Sequence, residues 1–257
     1  MGVRGDLTFL DGWRYDAYAS YSKSDAEYTF QAFLIDRMTN SLDVVAATPQ
    51  TPAALVRNGL TCRVNLTNPN AACIPAPALS SQVIGGVLPQ DWVNTVWKNI
   101  TGTTVYDETV VSATIDGALF DLPAGAVSAA FGLEYRDASI DDTPSLDSQN
   151  SNLYGFTSSA ITRGSDSVWE AYAETELPLL RDLPGVKDLS LNLSARYTEY
   201  DSYGDDTTYK IALKYAMTDW VSLRATYGTS YRAPALFEQF QGATTGFQSN
   251  AFDPCNE

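Results

Sequence analysis

Between Leu189 and Arg232, apolar and polar residues alternate through three successive runs. Leu189, Leu191, Leu193, Ala195 and Tyr197 oppose Ser190, Asn192, Ser194, Arg196 and Thr198. Tyr209, Ile211, Leu213 and Tyr215 oppose Thr208, Lys210, Ala212 and Lys214. Val221, Leu223, Ala225, Tyr227 and Tyr231 oppose Ser222, Arg224, Thr226, Ser230 and Arg232. Successive side chains of a strand point to opposite faces of a sheet, so a period of two describes a strand with one apolar and one polar face. Each run is about ten residues long, which is what a tilted strand needs to cross a bilayer. The connections alternate between a tight Met217-Thr218-Asp219 turn and an acidic Asp201–Asp206 loop. The pattern predicts an all-β chain, the wall of an antiparallel transmembrane β-barrel rather than a soluble sandwich.

The same reading gives about eight long strands over the whole chain, with short turns on one side and long loops on the other. A first pair is predicted from about Trp13 to Tyr21 and from about Glu27 to Asp36, joined by Ser22-Lys23-Ser24-Asp25. Residues 41–103 are predicted as one long outer loop, irregular except for a short helix between Pro89 and Ile100. Alternation resumes near Tyr106 and reverses at Leu122-Pro123-Ala124-Gly125. It returns through Val127, Ala129, Phe131, Leu133 and Tyr135. A polar loop from about Ala138 to Gly164 precedes a strand with Trp169, Ala171, Ala173 and Leu177 on one face and Glu170, Tyr172, Glu174 and Glu176 on the other. Pro178–Gly185 is predicted to turn the chain into the Leu189 strand.

Composition narrows the function. The net charge is −15, and so acidic a chain repels the phosphates of a nucleic acid. Histidine is absent, which removes Ser-His-Asp and Cys-His hydrolases, His-ligated zinc and axial-His haem. No run of about 18 apolar residues exists, so no transmembrane helix is expected; barrel strands never produce such a run. The N-terminal Met1–Asp6 lacks the basic-then-apolar layout of an export signal, which leads us to expect a fragment of a longer chain. Of the three cysteines, Cys62 and Cys73 sit in one polar, Pro/Asn-rich loop. A disulfide between them would suit an oxidising, extracytoplasmic setting; two unrelated thiols are the alternative. Cys255 then has no partner, again as if sequence continued past Glu257.

The runs Val168–Leu179, Leu191–Tyr200 and Leu223–Pro234 with Leu236-Phe237-Glu238 resemble the TonB-dependent outer-membrane receptors, as do Gly117–Gly125 and Gly132–Arg136. The Cys62–Cys73 loop, ending Ala72-Cys73-Ile74-Pro75, resembles an outer loop of a large subgroup in environmental Gram-negative bacteria. The resemblance covers nearly the whole chain. It implies that residues 1–257 are part of a barrel of about 22 strands with a plugged lumen, with the plug itself outside this stretch. It implies a place in the outer membrane, among lipid, with an extracellular small-molecule ligand and a TonB-type energy-coupling protein as partners. No cofactor, metal or nucleic acid is implied. Tyr231, Arg232, Ala233 and Pro234 form the family motif at a strand end.

Arg232 reads either as a ligand contact at the barrel mouth or as the partner of a carboxylate, in the lumen or on the plug. Glu170, Glu174 and Glu176 suggest paired acid/base catalysis only superficially. With Arg196 and Arg224 near by, they read better as a solvated charge ladder. The acidic loops (Asp137, Asp141, Asp142 and Asp147; Asp201, Asp205 and Asp206) do not match a calcium loop. Tyr154, Phe156, Tyr203, Phe237 and Phe247 are loop aromatics able to stack on a ligand. The sequence therefore predicts not an enzyme but a receptor for energised uptake of a ligand such as an iron–siderophore, cobalamin or an oligosaccharide. The alternatives are a small barrel acting as adhesin or enzyme, and a soluble all-β binding domain.

Overall fold

The computed structural model describes residues 1–246. Eight strands form one antiparallel sheet in the order β1 (Gly2–Asp6), β2 (Arg14–Phe33), β5 (Trp97–Leu122), β6 (Gly125–Thr143), β7 (Thr162–Leu183), β8 (Val186–Tyr200), β9 (Gly204–Ala216) and β10 (Ser222–Gly228). The sheet is open, with β1 and β10 at its edges. Between β2 and β5 lie α1 (Ile35–Leu42), the short hairpin β3 (Val44–Ala46) and β4 (Leu60–Cys62), α2 (Val64–Thr67), α3 (Ser81–Ile84) and α4 (Gln90–Val96). Helix α5 (Leu146–Gln149) lies between β6 and β7, and α6 (Leu236–Phe240) follows β10.

Connections alternate as the sequence predicts. Leu7–Trp13, Pro123-Ala124, Pro184-Gly185 and Met217–Val221 close one end of the sheet tightly. The longer segments all leave from the other. Several strand assignments differ from the sequence reading. Residues 13–36 are not a hairpin: β2 runs unbroken through Ser22-Lys23-Ser24-Asp25. That segment has turn-like composition but no glycine or proline to end a ladder. Likewise β5 begins at Trp97, not near Tyr106; β7 runs on to Leu183, through most of the stretch read as a turn from Pro178 to Gly185; and β1 has no counterpart in the sequence reading.

The chain divides into two compact units. The sheet unit comprises Met1–Ser24, Val105–Ile140 and Gly164–Phe240. On one face of its sheet the large apolar residues stand exposed, among them Leu119, Leu133 (59%), Trp169 (58%), Tyr197, Ile211, Leu213 and Leu223 (57%). A soluble sheet would hide such a face. From Trp169 to Leu177 this face rises about 27 Å along β7, at about 3.4 Å per residue, enough for the apolar band of a tilted barrel strand. Register follows the alternation: Ala173 pairs with Ala195 and Ala195 with Tyr209, so small and large side chains meet across neighbours.

Glycines in this unit seat aromatic rings. The Trp13 ring lies over Gly117, with Trp13 Nε1 donating to the Ala118 carbonyl at 3.0 Å. Tyr172 lies over Gly132 and Phe240 over Gly164; a Cβ at any of these glycines would overlap the ring. A β-bulge between Pro178 and Leu180 absorbs one extra residue where proline has no N–H to give the ladder.

The second unit, Asp25–Thr104, Asp141–Arg163 and the residues from Gln241, holds its own core of Ala32, Leu34, Ile100 and Leu153 with Phe30 against it. Phe33 meets the Trp97 ring edge-on at 4.2 Å. Tyr28 covers Gly102. Cys62 and Cys73 are joined, Cα atoms 6.0 Å apart. Asn65, almost fully buried, braces the bridge: its amide donates to Cys73 O at 2.8 Å and its carbonyl accepts from Cys73 N at 3.0 Å.

Candidate functional site

The polar face of the sheet unit carries a ladder of paired charge. Glu170 accepts from Arg196 (3.2 Å) and from Thr198 Oγ1 (2.9 Å). The Arg196 guanidinium also lies 5.0 Å from the Tyr172 ring centre, and the Tyr172 hydroxyl meets Thr114 Oγ1 at 2.8 Å. Asn192 donates to Glu174, Lys214 pairs with Asp188 at 2.9 Å, and Arg14 pairs with Asp116. Ser112, Ser190 and Thr198 are buried. Glu170 and Glu174 are thus each engaged by a separate donor, an arrangement for solvated charge rather than for a shared proton.

The Tyr231–Pro234 motif lies at the loop-bearing end of the same unit. Arg232 Nη2 donates to both carboxylate oxygens of Glu238, at 2.7 and 2.8 Å, and the Ala235 N–H donates to Glu238 as well at 2.9 Å. Arg232 therefore holds the first turn of α6, six residues on. The fork from Arg232, followed by the Ala235 N–H, keeps the Glu238 carboxyl below its ordinary range. Gln239 extends the brace through Asp166 and Ser202, whose hydroxyl donates to Asp166 at 2.7 Å.

Beside it, Tyr200 and Tyr203 stack with ring centres 4.4 Å apart, and the Tyr203 and Tyr231 hydroxyls meet at 3.3 Å. Burial, then hydrogen bonds with Tyr231 and Tyr200, push the Tyr203 phenol well above its ordinary range. Arg136 donates to the Tyr200 hydroxyl. Sequence reading picked out Tyr203 but not Tyr200, which sits in the alternating part of β8.

In the second unit the acidic loop residues take separate partners: Asp141 with Arg163, Asp142 with Thr104, Asp147 with Lys98. Among the described residues no three acidic or cysteine side chains converge. For Asp147, burial opposes ionisation, but hydrogen bonds from Asn152 and Lys98 prevail and lower its carboxyl. Phe156 packs on Phe30 at 5.2 Å, whereas Tyr154 and Phe237 are exposed. Phe247 and Cys255 lie outside the described residues. A cleft of about 390 Å³ opens beside the disulfide, lined by Arg37, Asn40, Asn70, Asn94 and Thr95 together with Cys73. Sequence reading had no signal for it, because α1, which carries Arg37 and Asn40, begins only where the predicted strand was to end.

Residues 1–254 match the family model described as TonB dependent receptor-like, beta-barrel. Among curated proteins, the vitamin B12 transporter BtuB of Vibrio vulnificus (strain CMCP6) is 29% identical over 104 residues, 40% of this chain and 15% of that protein. BtuB of Vibrio cholerae (El Tor Inaba N16961) is 28% identical over 112 residues, 43% of this chain and 15% of that protein. The match thus spans less than a sixth of these relatives' length. No solved structure matches. The open antiparallel sheet, its exposed apolar face and the match to the β-barrel model over nearly every residue agree, and the chain belongs to the TonB-dependent receptor family.

Proposed function

We propose that this chain is part of the wall and outer loops of an outer-membrane receptor that binds an extracellular ligand and takes it up with energy from a TonB-type coupling protein. The observation that carries the reading is the division of the sheet unit into an apolar face left exposed and a face of paired charge. The first suits lipid and the second a wet lumen. Edge strands β1 and β10 are where further strands of the barrel pair, since unpaired backbone groups cost several kcal/mol each in lipid. The ligand is a chelate, corrinoid or saccharide; the BtuB relatives favour uptake as the activity without fixing which of these is carried. The reading contains no catalytic step, and the plug that contacts the coupling protein belongs to a part of the receptor other than these strands. The Cys62–Cys73 bridge serves as a brace of the outer loop, and Tyr231–Pro234 as the anchor of the segment after β10.

The test is uptake by a Gram-negative strain stripped of its own receptors and carrying the complete reading frame. Labelled cobalamin, ferric siderophores and oligosaccharides are supplied with the energy-coupling protein present or deleted. Uptake of one class that vanishes with the coupling protein supports the receptor. Uptake independent of the coupling protein, or a product that stays in the aqueous fraction, sinks it.

A further inference from the structure

Four of the five basic side chains in the second unit are held by an aspartate: Arg57 by Asp91 at 2.7 Å, Arg63 by Asp43 at 3.0 Å, Lys98 by Asp147 at 3.0 Å and Arg163 by Asp141 at 2.8 Å. Arg37 is the fifth, and among the described residues no carboxylate pairs with it. Its Nη1 donates to the Thr95 carbonyl at 2.9 Å, which fixes the guanidinium and leaves its other N–H groups without a protein acceptor among the described residues. The adjacent Asp36 turns Oδ1 to the Arg37 backbone N–H and to the Asn152 amide instead.

Arg37 lines the cleft of about 390 Å³, a size that suits a small-molecule ligand. Among the described residues no acidic side chain lines it. The rest of its polar lining is three carboxamides, Asn40, Asn70 and Asn94, and Thr95. The Asn94 carbonyl is taken by Gln90, which leaves its amide N–H pair free; the Asn40 and Asn70 side chains have no protein hydrogen bond among the described residues. Carboxamides offer both donors and acceptors, as sugar hydroxyls do, whereas a guanidinium offers only a fork of donors matched to an oxyanion. One wall is preorganised: Cys73 is tied to Cys62 and to Asn65, and Ala72 is held at φ 47°, a left-handed conformation alanine rarely takes.

We propose that this cleft binds an acidic saccharide, its carboxylate on Arg37 and its hydroxyls on Asn40, Asn70 and Asn94. The proposal deepens the receptor reading and rests on it for the ligand's passage inward, but not for binding. The test is calorimetric titration of the full chain in detergent micelles with oligogalacturonate, with its neutral methyl ester and with inorganic phosphate. Oligogalacturonate is expected to bind roughly tenfold or more tightly than the ester, in line with a charge-assisted forked pair. Arg37→Gln should bring the acid down to the ester, Arg37→Lys should restore part of the difference, and Asn94→Ala should weaken both ligands. Asn70→Asp leaves the Arg37–Thr95 contact intact and should weaken the acid alone, which keeps the test decisive if Arg37→Gln misfolds. Equal binding of acid and ester, indifference to Asn70→Asp, or phosphate binding as tightly as the oligosaccharide overturns the proposal. Micellar binding without cellular uptake removes the transport reading and leaves the cleft standing. Coupled uptake of another ligand with no oligogalacturonate binding does the reverse.

Discussion

Arg232 reaches both carboxylate oxygens of Glu238 with one nitrogen, and Glu238 in turn accepts from the N–H of Ala235. The motif that sequence alone could assign to a ligand or to a carboxylate is thus closed by a carboxylate of its own segment. Because both side chains are largely exposed, the pair orders a local turn and adds little to the sheet. Glu238→Ala is expected to speed proteolysis between Pro234 and Phe240 while leaving the unfolding midpoint of the sheet within error. An unchanged cleavage pattern in limited proteolysis would reject this role.

Ala173 and Ser194 lie on opposite faces at nearly the same height, since Ala173 pairs with Ala195. Arginine at position 173 should cost about 2–4 kcal/mol, the penalty for a cation at the bilayer midplane, whereas arginine at 194 should be tolerated. Unfolding by denaturant after reconstitution in lipid vesicles measures both. Equal tolerance would mean that the apolar face does not meet lipid.

Gly132 lies beneath the Tyr172 ring, which also meets Thr114 and Arg196. Gly132→Ala should destabilise by about 1–3 kcal/mol, as overpacking does. Adding Tyr172→Ala should recover part of that loss, with a coupling of about 0.5–3 kcal/mol in a double-mutant cycle. Additive losses would show that the ring does not sit there.

Much of this was legible from period alone. The face assignments of Leu189–Tyr197 and Tyr209–Tyr215 emerge in the register as written, because a one-residue slip would turn every apolar side chain to the wrong face. What period does not encode is the end of a strand. Ser22–Asp25 has the composition of a turn, yet neighbouring strands supply a ladder and β2 continues. The helix α1 and the hairpin β3–β4 were missed for a related reason: short elements in a loop are held by packing and by the Cys62–Cys73 link, not by long alternation. The Arg37 cleft was illegible because it joins residues from three separate segments, and Asn40, Asn70 and Asn94 carry no motif.

The Cys62–Cys73 bridge spans a sequence separation of 11. Loop-closure entropy for so short a ring gives about 3 kcal/mol. Replacing both cysteines by serine should lower hydrogen-exchange protection at Thr61 and Cys73 by about that amount, with β7–β9 unaffected. Loss of protection across β8 and β9 would instead make the bridge a global staple.

Asp91 accepts from Arg57, and that hydrogen bond, against some burial, lowers its carboxyl below the ordinary range. A group whose folded pKa is depressed adds stability above its unfolded pKa, about 3.9 for aspartate, and loses it as the pH falls through the folded value. Near-ultraviolet dichroism of the second unit, which contains Trp92 and Trp97, should therefore hold from neutrality to about pH 4 and decline below it. Asp91→Asn should weaken that acid limb; an identical profile would exclude Asp91 from it.

The rings seated on Gly117, Gly132 and Gly164 also bear on how the wall assembles. Backbone ladders alone look nearly the same after a two-residue shift, since the faces are restored. A bulky ring over a bare Cα has no equivalent two residues away: at Gly132 the shifted positions are Ala130 and Glu134, each with a side chain in the way. These seats act as detents, so that strands sliding past one another during insertion stop at one alignment. They also tie distant positions together in inheritance, because a side chain gained at the glycine is acceptable only once the ring facing it has shrunk.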